Sequence, residues 1–299
     1  FKERLVMSFD YFRNTTKDQL MTIPLPASTG SEDIVVNFGE NQNVGYDFSV
    51  AGQVIRNKNW AWTSVINGSH VKDRIKQISD KLKNTAYQLE EDNPLKLRFR
   101  EGGSQYDIYA VRSAGIDPAT GQEIFINKNG EYTFKYDAED EVVVGNTQPK
   151  LQGTWLNTLR YKGWSLNFVF SYTFGGDTYN KTLWEKVEDI DPRYNVDERA
   201  FTDRWKNPGD LSRYLAIKER RSTTPHNSER FVERLNELWL WSATLTYEFQ
   251  PKFLKRLGFK RLAVGVGVSD IVRFSTVKYE RGTSYPYCRT INLTFRPTF

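Results

Sequence analysis

Trp164–Phe174 reads WSLNFVFSYTF. Trp164, Leu166, Phe168, Phe170, Tyr172 and Phe174 occupy every second position, with Ser165, Asn167, Val169, Ser171 and Thr173 between them. Successive side chains of a strand point to opposite faces, whereas a helix repeats every 3.6 residues and would scatter this set around its axis. The stretch is therefore a strand with one large apolar, mostly aromatic face and one small polar face.

The same period recurs along the chain. Leu5, Met7, Phe9 and Tyr11 oppose Val6, Ser8 and Asp10, and Val44, Tyr46, Phe48 and Val50 oppose Gly45, Asp47, Ser49 and Ala51. Trp239, Trp241, Ala243, Leu245, Tyr247 and Phe249 are read as one face, with Ser242, Thr244, Thr246 and Glu248 opposite. In all, eight strands are predicted, at about 3–13, 43–56, 59–71, 150–161, 163–175, 236–249, 258–271 and 287–299. Each is about twice as long as the five or six residues usual in globular sheets. A strand tilted across a bilayer needs about nine to eleven.

Long and short connections alternate. Short turns are read at Arg56–Asn59, Tyr161–Gly163 and Pro251–Gly258. Long connections follow the first strand, then span about 72–149 and 176–235, and finally join the last two strands. Up-and-down transmembrane barrels have this asymmetry, with short periplasmic turns and long external loops. Within the loops, turns are expected at Asp117–Gly121 and Asn127–Gly130, and a short amphipathic helix at 73–84. Residues 229–238 fit either a helical turn or the approach to a strand.

Composition agrees with a barrel. Sixteen Tyr, 19 Phe and 8 Trp make up 14% of the chain, and membrane interfaces favour such rings. The mean hydropathy of −0.62 is no objection, because a barrel turns only alternate residues toward lipid. No run of eighteen apolar residues suggests a transmembrane helix. The net charge of +5 is mixed in sign and forms no basic stripe, so no nucleic-acid partner is expected. Cys288 is the sole cysteine, which excludes an internal disulfide and a cysteine metal site. The chain opens on FKERLVMSFDYF and reads as starting inside a domain.

Several stretches, taken in order, carry a family likeness. They are FDYFRNTTKDQLMTIPLPASTG, VNFGENQNVGYDFSV, SAGIDPATGQEIF, YKGWSLNFVFSYTFGGDTYN, RWKNPGD and YERGTSYPYCRT. The chain resembles the C-terminal part of the SusC/RagA-like TonB-dependent outer-membrane transporters over essentially its whole length. It departs from them at VSDIVRFS, where Asp270-Ile271 stands in place of the usual Asn-Leu.

The resemblance implies an all-β, antiparallel transmembrane barrel of 22 strands, of which residues 1–299 supply the last eight. The plug domain lies outside this chain, so the chain is a fragment or the remaining barrel segment is on another chain. The implied function is outer-membrane TonB-dependent import of oligosaccharides or peptides in a Gram-negative, Bacteroidetes-like bacterium. The implied partners are a SusD-like surface lipoprotein, the lipid bilayer, and TonB-ExbB-ExbD through the missing plug region. Phe295 and Phe299, on the closing strand, resemble the signal read by the barrel-assembly machinery. The alternatives are an autonomous eight-stranded barrel with an adhesive or structural role, and a secreted carbohydrate-binding β-protein.

No catalytic motif, cofactor or enzymatic activity is expected. His70 and His226 lack metal-ligand spacing, and His70 is read as a residue at the edge of a loop. Glu188, Asp189 and Asp191 offer oxygens to a hard cation such as Ca²⁺, although their spacing is not that of an EF-hand and a solvated acidic loop fits as well. Trp184, Tyr194, Trp205 and Tyr214 are candidates to contact substrate or partner, or else to staple their loop onto itself. Arg193, Arg204 and Arg213 are candidate carboxylate binders in the same loop.

Overall fold

A computed structural model describes residues 4–24, 33–79, 100–191, 193, 195–219, 227–249, 259–278 and 289–299. In chain order the strands are β1 (Leu5–Pro24), β2 (Asp33–Arg56), β3 (Trp60–Ile78), β4 (Asp107–Ala110), β5 (Arg112–Ile116), β6 (Glu123–Ile126), β7 (Tyr132–Thr133), β8 (Val142–Asn146), β9 (Leu151–Tyr161), β10 (Trp164–Tyr179), β11 (Val232–Glu248), β12 (Arg261–Ser275) and β13 (Ile291–Thr298). Eight of them form one antiparallel meander in the order β1-β2-β3-β9-β10-β11-β12-β13. Each neighbour is next along the chain apart from the β4–β8 insertion. Among the described residues β1 pairs only with β2 and β13 only with β12, so the wall is open at both edges.

The registers show what the two faces carry. Residues paired across antiparallel strands share a face. One row runs Trp60, Tyr161, Trp164, Tyr247, Val264, Phe295. Its rings touch, Trp60 to Tyr161 at 4.4 Å and Trp164 to Tyr247 at 4.7 Å. Phe249 extends the belt from Tyr247 at 4.9 Å, and Phe259 meets Phe299 at 5.1 Å. This belt lies at the end of the wall that carries the short turns. Ten residues further along β10, Phe174 and its neighbour Tyr172 stack at 5.8 Å. A rise of about 3.3 Å per residue and a tilt near 40° separate the two levels by about 25 Å, the height of the apolar band of an outer-membrane barrel.

The side chains of this face lie open: Phe9 is 67% exposed, Phe295 63% and Phe174 40%. An apolar surface of this extent is stable only against an apolar medium, so it is the lipid face. Its indole N–H groups find partners within the wall, Trp62 donating to Asn157 Oδ1 at 3.0 Å and Trp155 to Ser64 Oγ at 2.8 Å. Lipid offers neither group a hydrogen bond, so each must be met internally. The Tyr172 ring lies across Gly153, where a Cβ would sit 2.6 Å from the phenol oxygen, and its hydroxyl donates to Asn67 O at 2.8 Å.

Three local features differ from the sequence reading. First, β1, β2 and β3 run beyond the alternating segments, as FRNTTKDQLMTIP pairs with DIVVNFGENQNV above the apolar band. There the ladder continues while the hydropathy alternation stops, and among the described side chains Phe38, Asn41 and Gln42 are buried. Second, residues 73–78 are strand rather than the start of a helix, and the remainder of that predicted helix, from residue 80, lies outside the described residues. A register shift at Lys76 inserts one extra residue, so Ile75 and Ile78 are both buried at a spacing of three that imitates a helical stripe. Third, a bulge between Leu240 and Ser242 reverses the parity of β11. Trp239 thereby pairs with Ser171 on the polar face instead of joining Ala243 and Leu245. The bulge places Asp270 at φ 53°, where its carboxylate accepts from Trp239 Nε1 at 2.9 Å. Asp and Asn are the non-glycine residues best tolerated in this conformation, so Asp270 can take the usual Asn position without altering the backbone.

Candidate functional site

The polar face lies on the side of the wall opposite the aromatic rows. Across it run the rows Ser8, Ser49, Asn67, Thr154, Ser171 and Asp10, Asp47, Ser69, Gln152, Thr173. Ser49 Oγ donates to Asn67 Oδ1 at 2.7 Å, and Asn67 Nδ2 to Thr154 Oγ1 at 3.3 Å. These residues border a trough of about 540 Å³. The same rows continue onto the next two strands, where Trp239, paired with Ser171, lies beneath the Arg273 guanidinium at 4.2 Å, and Arg273 faces Glu237, paired with Thr173, at 3.6 Å. Hydroxyl, amide and charged groups of this kind suit a solvated passage and a polar cargo.

Above the wall the two longest connections fold onto each other. The first carries a β4–β8 pair and a β5-β6-β7 sheet. The second carries short helical segments at Lys181–Leu183, Trp184–Glu188 and Arg199–Thr202. Side-chain chemistry sets their turns. Asp117 caps DPATG by accepting from Ala119 N at 3.2 Å and from Thr120 N and Oγ1 at 3.1 and 2.6 Å, which lowers its pKa. Asp210 caps KNPGD through the N–H groups of Asn207 and Lys206, which lower its pKa as well. Asp197 is held at about 2 by hydrogen bonding to Arg199.

These two turns, some ninety residues apart in sequence, meet. Trp205 Nε1 donates to Pro118 O at 2.9 Å, Gly209 N to the same oxygen at 2.8 Å, and Ala216 N to Gly121 O at 3.0 Å. Gly121 has φ +76°, and a Cβ there would sit 2.6 Å from the Trp205 ring. The motifs IDPATG and RWKNPGD are thus two halves of one joint. A short parallel bridge, Val111 with Ser228, ties the connections together again.

Deeper lies a buried ionic centre. Arg230 Nη2 reaches Glu188 Oε1 at 2.7 Å and Glu123 Oε2 at 3.0 Å. Its Nε approaches Glu123 Oε1 at 2.9 Å, an ion-pair contact without hydrogen-bond alignment. Side-chain exposure is 11% for Arg230, 4% for Glu188 and 0% for Glu123. Burial pulls the Arg230 pKa down, but the carboxylates of Glu123 and Glu188 outweigh this and hold it above the ordinary arginine value. Arg204, also buried, donates to the carbonyls of Ala200, Leu215, Val187 and Glu188.

The residues singled out from sequence therefore fall as follows. Glu188 is engaged by Arg230, and Asp191 by Arg193 at 2.6 Å. Among the described residues no three His, Cys, Asp or Glu side chains gather where they would hold a metal. Tyr214 and Trp205 are buried, and Trp184 packs on the cluster of Leu183, Val187, Ile190, Ala200, Tyr214 and Phe231. These three rings staple the loop. Arg213 pairs with Glu233 at 2.7 Å. His70 sits within β3, against Tyr46 and with Nδ1 2.6 Å from Lys150 O, not at a loop edge. Glu229–Phe231 form a single 3₁₀ turn that runs directly into β11. Tyr194, His226, Cys288 and the turn Pro251–Gly258 lie outside the described residues. Sequence reasoning missed Glu123 and Arg230, because no local pattern announces a pair 107 residues apart.

Fold and faces together define one wall of a transmembrane β-barrel with a polar interior. No protein-family model matches the chain. It is 26% identical over 317 aligned positions to TonB-dependent receptor P39 of Formosa agariphila, covering 92% of this chain and 30% of that one. It is 26% identical over 336 positions to TonB-dependent receptor P26 of the same bacterium, covering 100% of this chain and 33% of that one. Among solved structures it matches the RagAB peptide transporter with a TM-score of 0.74 and 20% identity, over 93% of this chain and 30% of the other. The chain is a relative of the TonB-dependent receptors, and its fold is that of a SusC/RagA-like barrel wall. Its relatives are receptors and transporters, not enzymes. The chain spans about a third of the length of the curated relatives it matches.

Proposed function

We propose that this chain is the C-terminal wall of a TonB-dependent importer in the outer membrane of a Gram-negative bacterium. The observation that carries the reading is an open eight-stranded wall, polar inside and apolar outside, on a chain related to TonB-dependent receptors throughout its length. A ring of about 22 strands requires about fourteen more, together with a plug, from beyond these residues. The cargo is a peptide or an oligosaccharide. The likeness to a peptide transporter supports the first in fold alone, and the hydroxyl- and amide-lined trough suits both. A SusD-like lipoprotein caps the mouth, and TonB-ExbB-ExbD supplies energy through the plug. The open edges at β1 and β13 speak against a closed eight-stranded barrel.

The test is uptake by cells that produce the parent protein, with and without it, from defined pools of peptides and of neutral oligosaccharides. Loss of uptake of one pool on deletion of the gene or of TonB, restored by complementation, is the expected result. Unchanged uptake of both pools sinks the reading.

A further inference from the structure

We propose that Arg230 is a positioning residue that locks the two longest external connections into one body, so that the mouth of the barrel opens or stays shut as a unit. The two connections leave the wall at different strand pairs, the first between β3 and β9 and the second between β10 and β11. Yet a single guanidinium, at the foot of β11, is shared between Glu123 of β6 in the first connection and Glu188 in the second. Ser228 fixes the same Glu123 from the second connection, through its hydroxyl. All three charged groups are at least nearly buried. Moving either connection alone would strand a charge in a poorly solvated place, which costs far more than breaking an exposed pair. Intermediate positions are thereby disfavoured, and the joined and separated arrangements become two discrete states. The Trp205–Pro118 joint is a second, separate contact between the same two connections. The lock is a property of the loops alone; its use at the mouth of a transporter rests on the import reading.

Amide hydrogen exchange on the intact parent protein in detergent tests the lock. Glu123→Gln is the informative variant, because it keeps shape and hydrogen-bonding capacity while Arg230→Met risks misfolding the loops. The expected result is a tenfold or greater rise in exchange across residues 183–190, on the other connection. Glu139→Gln, which breaks only the exposed Lys128–Glu139 pair within the first connection, should leave residues 183–190 unchanged. Because Glu123 and Glu188 act through one guanidinium, the combined Glu123→Gln, Glu188→Gln protein should exchange there no faster than the faster single variant. A rise confined to residues 107–146, or additive effects of the two substitutions, overturns the proposal. Failure of the wild-type parent to import any cargo would overturn the import reading and leave the exchange result standing.

Discussion

At the scale of single residues, the joint between the two external connections depends on what one glycine lacks. Gly121 combines φ +76° with a Trp205 ring 2.6 Å from where a Cβ would stand and Ala216 Cβ at 2.8 Å. Gly121→Ala must both adopt a left-handed backbone and push an indole whose N–H is already committed to Pro118. The backbone costs about 1–2 kcal/mol and the overpacking about 1–3 kcal/mol, so the joint should lose about 2–5 kcal/mol. The expected outcome is faster protease nicking within residues 195–219 of the membrane-inserted protein. An unchanged nicking rate would mean that the joint contributes nothing to loop order. Trp205 was legible in the sequence as a ring worth noting, yet its role was not, because its partner lies 87 residues away.

At the scale of one strand, β10 separates lipid from lumen by parity alone. Phe170 lies midway between the two aromatic levels, stacked on Trp155 at 5.3 Å, and the next residue, Ser171, faces the trough. An arginine on the lipid face near the bilayer centre costs about 2–4 kcal/mol, whereas a lumen position is wet and tolerates charge. Phe170→Arg should therefore depress folded yield in liposome refolding, relative to Phe170→Leu, while Ser171→Arg remains close to the wild type. Equal behaviour of the two arginine variants would show the faces to be wrongly assigned. Period two was readable here because the band between the aromatic levels has one dry and one wet side. The same reading failed on β11, where one extra residue turned Trp239 inward toward Asp270 and Arg273. It also failed on β3 near Lys76, where the shift placed Ile75 and Ile78 on the same buried side. A bulge leaves no mark in hydropathy, because it changes the count of residues and not their kind.

At the scale of the molecule, the wall has two unpaired edges among its described residues, and an open sheet edge cannot face hydrocarbon. The 299-residue polypeptide on its own should therefore not close. Refolded alone in detergent, it should show no heat-dependent change in electrophoretic migration, whereas the parent protein should. A clear shift for the isolated chain would revive the small-barrel alternative. By itself, the sequence determined the class of strand, the alternation of short and long connections, and thus a membrane barrel. These follow from a period-two hydropathy pattern written locally, residue by residue. Only the tertiary structure decided which parity each strand keeps past its bulges. It alone also showed that the two long connections form one body around Arg230. Both depend on register and on contacts between residues up to about a hundred positions apart, and no local pattern of side chains encodes a distance of that kind.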